Sequence, residues 1–148
     1  SAASDVYKRQ VPEGEQIWEH AFQGDHWFWA SPITDGKDIF LASMAGTVFA
    51  LDKDGKNVWP TTFTAESPIV STPVVINNNL IVATDKGKLH FIDSGSGEKL
   101  EVSKDLAGRI KAPLSNQGAN VFVGTEEGVI KFVNMEQWIE TWQVKTKE

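Results

Sequence analysis

The chain contains no cysteine. That excludes disulfides, a thiolate nucleophile and a cysteine-held metal. No apolar run approaches the roughly 18 residues that a membrane-crossing helix requires. Basic charge is also scarce: 14 Lys and Arg stand against 20 Asp and Glu, for a net charge of −6. A basic stripe of the kind that tracks a nucleic-acid backbone is therefore missing, and no nucleic-acid partner is expected. The three histidines, His20, His26 and His90, do not have the spacing of metal ligands and are expected on the surface or on strand faces. Neither a Gly-x-Ser-x-Gly elbow nor a His-Glu-x-x-His helix is present. Helical periodicity is missing too, apart from one short turn allowed at Met135–Glu140.

What the chain does have is a core and a repeat. Its 148 residues suit one domain, and a 41% hydrophobic content is ample for packing. Three markers recur. A small residue and Pro precede a strand at Ser31-Pro32, Thr72-Pro73 and Ala112-Pro113. Gly opens an alternating strand that ends in Asp or Asn at Gly46–Asp52, Gly87–Asp93 and Gly128–Asn134. Trp18, Trp59, Leu100 and Trp142 form a third register. A period near 40 with about four short strands per unit is the pattern of a β-propeller blade.

The expected fold is therefore all-β: blades of four antiparallel strands, forming a partial or incomplete propeller. The blades are placed near residues 30–63, 71–104 and 112–145, within a repeat segment of 15–148. Residues 1–14 match no repeat position and carry no signal-peptide pattern; they read as a disordered leader. Glu15–Ala21, with Trp18, reads as an outer strand left over from another unit. The second strand of each unit (Ile39–Ala42, Leu80–Ala83, Val121–Gly124) is almost wholly apolar, as expected where both faces are covered. Blades cannot bury their faces alone, so open propeller ends call for a protein partner or self-association.

The stretch Ala50-Leu51-Asp52-Lys53-Asp54-Gly55-Lys56-Asn57-Val58-Trp59 resembles the Ala-x-Asp-x-x-x-Gly-x-x-x-Trp docking motif of the PQQ-like (quinoprotein-type) β-propeller repeats. The Ser-Pro-Ile and Thr-Pro-Val-Val strand starts are similar to the same repeat. The motif is degraded in unit two, where Phe91 replaces Ala and Leu100 replaces Trp, and in unit three, where Asn134 replaces Asp. The resemblance implies a structural docking role for Trp18, Trp59 and Trp142, each stacking on a peptide of the next blade, with Asp52 and Gly55 forming the turn. Calcium at Asp52–Gly55 would need more oxygen ligands, and Lys53 and Lys56 interrupt the acids. Members include quinone-dependent dehydrogenases and an envelope scaffold of outer-membrane protein assembly. The dehydrogenases use a calcium site and adjacent cysteines, and this chain has no Cys. The reading is thus a non-enzymatic scaffold without cofactor, periplasmic or otherwise extracytoplasmic. A dehydrogenase fragment and a small-ligand or glycan sensor are the alternatives.

One further stretch, His26-Trp27-Phe28-Trp29-Ala30, precedes the first inner strand. Alignment on the prolines pairs Trp29 with Val70 and Ile110, so Trp29 is expected in the core. It pairs Phe28 with Ile69 and Arg109, and Trp27 with Pro68 and Gly108. In propellers this connection crosses one face toward the central channel. Trp27, Arg109 and Lys111 are accordingly expected to line a ligand or partner face.

Overall fold

The computed structural model describes residues 26–136 and 139–145. Trp18 and the expected strand Glu15–Ala21 lie outside the described residues, as does the side chain of Trp142. Among the described residues, twelve strands form three four-stranded antiparallel sheets, each a simple meander. The first blade holds β1 (Ile33–Thr34), β2 (Ile39–Ala42), β3 (Thr47–Leu51) and β4 (Phe63–Thr64). The second holds β5 (Val74–Ile76), β6 (Asn79–Ala83), β7 (Lys88–Asp93) and β8 (Lys99–Asp105). The third holds β9 (Ser115–Gln117), β10 (Asn120–Gly124), β11 (Val129–Asn134) and β12 (Ile139–Lys145). There is no helix among the described residues; Met135 and Glu136 form a plain turn.

The apolar second strands show why the sheets must stack. Phe40, Ala42, Val48 and Ala50 of the first blade pack against Leu80, Val82 and Ile92 of the second. One period on, Ile81, Ala83, Leu89 and Phe91 pack against Val121, Val123 and Val133 of the third. The middle blade is thus covered on both faces, and Leu80–Ala83 is buried without interruption. β2 alternates between buried and half-buried residues, because the described chain covers only one of its faces.

The outer strand of the first blade is broken. Asn57 bridges Leu51 and the Val58 amide donates to the Ala50 carbonyl, but regular pairing resumes only at Phe63. Pro60 lies in the gap and has no N–H to offer the ladder. The outer strands of the other blades also slip register, between His90 and Ile92 and between Phe132 and Val133. The pairings that open these outer strands correct the tryptophan register. Asn57 pairs Leu51, Lys99 pairs Ile92 and Glu140 pairs Val133. Counting two residues on, Trp59 corresponds to Glu101 and to Trp142. Leu100 instead matches Val58; each is half-buried against its own inter-blade core. The second unit is shifted because its Asp93–Glu98 turn is one residue longer than Asp52–Lys56.

Trp59 projects from its bulge into the next blade. Its Nε1 donates to the Ser94 carbonyl at 2.8 Å, and its ring lies 5.8 Å from Phe40. The ring covers Gly97 so closely that a Cβ there would come within 2.5 Å of it, at a φ of +79°. The turn that leads to Trp59 is held by Asp52, whose Oδ1 accepts from the Asp54 and Lys56 amides at 2.8 and 3.0 Å. The Lys56 amide, more than any charge, holds the Asp52 carboxyl below the usual range. Gly55 closes the turn with a φ of 77° and donates to the Asp52 carbonyl at 3.0 Å.

Of the two places expected for it, His90 takes a strand face: it lies on β7, buried in the same interface and 1% exposed. Its Nε2 lies 2.8 Å from Glu66 Oε2, and Phe63 packs on its ring at 5.3 Å. Nδ1 is buried without a partner. A second proton would therefore sit on Nδ1 with no acceptor. Burial outweighs the Glu66 carboxylate, helped by Lys99 and Lys88, and lowers the His90 pKa from 6.5.

These contacts set the outcomes for stability. Trp59→Ala should cost about 3–5 kcal/mol in urea unfolding, and Trp59→Phe about 1 kcal/mol through the lost hydrogen bond. Gly97→Ala, strained in φ and colliding with the indole, should cost about 2 kcal/mol or more. As pH falls through 6.5, the unfolded chain takes up the His90 proton before the folded chain does. Stability should therefore decline below that pH and level off beneath the folded value. A His90→Gln variant should lack this decline while keeping the further loss at lower pH from carboxylates such as Asp52. A decline of unchanged size in the variant would exclude His90 as its source.

Candidate partner face at the blade connections

The connections between blades run over the turns that join each second and third strand. The Ala65 amide donates to the Gly46 carbonyl at 2.8 Å, and Leu106 to Gly87 at 2.9 Å. A Cβ at Gly87 would collide with the Gly108 carbonyl, so only glycine admits this approach. Three further bonds repeat at the full period. Met44, Asp85 and Glu126 donate their amides to the carbonyls of Trp27, Pro68 and Arg109, at 2.9, 2.8 and 2.9 Å.

This ladder corrects the alignment made on the prolines. Trp27, Pro68 and Arg109 are equivalent, as are Phe28, Ile69 and Ile110, and then Trp29, Val70 and Lys111. The third unit is one residue shorter before Pro113, which displaces a proline-based match by one position. Ile69 and Ile110 take the buried place, both fully. Trp29 does not belong to the core: it is 64% exposed. Trp27 is 72% exposed, and Phe28 meets Phe49 edge-on at 6.1 Å.

The equivalent positions converge on one pocket of about 440 Å³, lined by Trp29, Met44, Pro68, Val70, Asp85, Arg109 and Lys111. The structure thus brings Arg109 and Lys111 together with Trp29, while Trp27 stands outside the lining. Around this arc the chemistry changes from apolar in the first blade to charged in the third. The charged end is internally paired. Arg109 Nη2 lies 3.4 Å from Asp85 Oδ2 and its Nε 3.6 Å from Glu126 Oε2, while Lys111 Nζ lies 2.8 Å from Glu126 Oε1. The Arg109 amide also donates to Glu127 Oε1 at 3.3 Å. Backbone N–H groups, Glu127's own first and then Arg109's, hold the Glu127 carboxyl below its usual range.

Met44 and Asp85 were not legible as lining residues from the proline marker. The strict 41-residue recurrence of the Gly46, Gly87 and Gly128 turns carries them, since Met44, Asp85 and Glu126 each sit two residues before those glycines. At the opposite ends of the strands, Asp35 and Asp93 spend their carboxylates on turn amides, as Asp52 does.

Comparison with known proteins agrees with this architecture. A family profile described as outer membrane protein assembly factor BamB matches residues 2–100. The outer membrane protein assembly factor BamB of Burkholderia pseudomallei is 29% identical over 147 residues, covering 96% of this chain and 38% of that protein. The chain therefore spans just over a third of the length of this curated relative. The crystal structure of BamB from Moraxella catarrhalis superposes with a TM-score of 0.69 at 24% identity, covering 79% of this chain and 35% of that one. The computationally designed Ika8 protein superposes at 0.67 with 16% identity, covering 78% and 36%, a likeness of fold alone. With three propeller blades in register and a profile match across two thirds of its length, this chain belongs to the family of the outer membrane protein assembly factor BamB.

Proposed function

We propose that this chain is a non-enzymatic, protein-binding segment of an assembly scaffold that works outside the cytoplasm. Its relative from B. pseudomallei is named as a factor in outer membrane protein assembly, and the same task is proposed here. The observation that carries the reading is the blade-connection face. Trp27 and Trp29 stand exposed where the repeat needs only Pro68 and Val70, so their bulk is not demanded by packing. Exposed Trp beside Arg is the composition of protein-binding hot spots. The charged groups of this face are tied to each other, as in a recognition surface, rather than arranged as a nucleophile with its base.

The second surface for partners is the end face of the third blade. Phe122, Gly124, Ile130 and Phe132 occupy the positions that the first two blades bury against their neighbours. Phe122 and Phe132 meet edge-on at 4.9 Å, and Ile130 with its cross-strand partner Val144 is exposed. We propose that another propeller blade covers this face, its β2 and β3 equivalents supplying branched apolar side chains as Val121, Val123 and Val133 do.

A photo-crosslinking residue in place of Trp27, expressed in the envelope of the source cell, should capture components of outer membrane protein assembly. The same residue in place of Lys53, at the opposite ends of the strands, should not. Dye-linked oxidation of alcohols or sugars by the purified chain on adding PQQ and calcium would overturn the scaffold reading.

A further inference from the structure

The pocket at the blade connections has two features that select its occupant. Its wall is apolar on one side, where the Trp29 indole, Met44, Pro68 and Val70 meet. At the other side Arg109 and Lys111 are ion-paired with Asp85 and Glu126, so these four charges cancel. The donors, however, are not used up. Lys111 spends one contact on Glu126, and Arg109 holds its carboxylates at 3.4 and 3.6 Å, longer than the 2.7–2.9 Å of tight charge-assisted bonds. A guanidinium carries five N–H groups and an ammonium three. Spare donors without net charge call for neutral acceptors rather than for an anion. The apolar wall calls for an apolar group next to those acceptors.

From this charge balance we infer that the pocket takes an extended peptide. One aromatic or long aliphatic side chain enters between Trp29, Met44 and Val70, and the flanking backbone carbonyls accept from Arg109 and Lys111. A glycan fits less well, because a sugar needs several directed partners, while both Glu126 oxygens are ion-paired and the one partnerless carboxylate oxygen, Asp85 Oδ1, is buried, where a single peptide N–H suits it better. The inference rests on the protein-binding reading and adds the chemistry of the bound segment. In a scaffold of this kind the segment belongs to an unfolded or partly folded polypeptide, whose apolar residues and carbonyls are both available.

The test uses the whole chain and an end-capped Ser/Gly/Thr peptide of about ten residues carrying one central Phe. Binding is followed by intrinsic tryptophan fluorescence and by isothermal titration. Saturable binding is expected, weakened at least about tenfold when the peptide Phe becomes Ala, since one buried aromatic side chain is worth that factor or more. Trp29→Ala and Val70→Ser should weaken it comparably, and Lys111→Met by a few fold. Lys53→Ala, at the far ends of the strands, should leave it unchanged. Uncapping the peptide carboxylate should not strengthen it. Equal affinity for the Phe and Ala peptides, no saturable binding, retention of affinity in Trp29→Ala, or binding of chitohexaose in place of the peptide would each overturn the inference. Trp29 is exposed, so loss of folding is not expected to confuse the result, and far-UV circular dichroism of each variant confirms it. If the peptide arm fails while crosslinks from position 27 to assembly components persist in Trp29→Ala, the pocket proposal falls and the scaffold reading stands.

Discussion

A sheet that is apolar on both faces has no stable existence in water by itself, and this constraint orders the rest of the chain. In each unit the second and third strands place branched and aromatic residues on either side of the sheet, as with Ile81 and Phe91 toward the third blade and Leu80 and Ile92 toward the first. Stacking is the solution, and the repeat period keeps the same positions in contact at each interface. The tightest part of the first interface is the indole of Trp59 on Gly97 and the Ser94 carbonyl. Next to it, the slot that holds His90 against Glu66 in one interface holds Lys131 against the Leu106 carbonyl in the other. The scaffold is therefore regular in its apolar faces and idiosyncratic in its buried polar pairs.

The same stacking builds the blade-connection face. Because each connection must cross from the outer strand of one blade to the inner strand of the next, it passes over the turns of both. Pro68 illustrates this: its carbonyl binds Asp85 of the next blade while neighbouring Ile69 donates to Ser43 of its own. The connections lie side by side, so three equivalent residues, Trp29, Val70 and Lys111, reach one pocket. A row that the core would fill with similar side chains varies here from indole to isopropyl to ammonium. Such freedom marks positions that the repeat does not constrain, which is where recognition can be written without cost to the fold.

Much of the architecture was legible in the sequence because it depends on spacing. Glycines 41 residues apart sit at turns with positive φ at Gly46, Gly87 and Gly128, and alternating or wholly apolar strands follow from burial on one face or two. What was misread depends on single-residue shifts. A turn one residue longer moves the Trp59 register from Leu100 to Glu101, and a shortened connection before Pro113 moves Trp29 from the core to the surface. Hydrophobicity could not flag either shift, since Leu100 and Trp29 are both apolar; only backbone pairing assigns them. Pro60 carried a signal, its missing N–H, that marks the broken outer strand. The pairing of Arg109 and Lys111 with Asp85 and Glu126 was beyond reach, because it joins turns of adjacent blades.

The central claim is that blade-to-blade docking, anchored at Trp59, couples whole sheets rather than a local turn. Native-state hydrogen exchange on a Trp59→Leu variant tests it most directly. Docking of this kind predicts that amides of β2 and β3 and of β6 and β7 lose protection together, across both sides of the interface. Faster exchange confined to the residues flanking position 59, with β6 and β7 as protected as before, would contradict it.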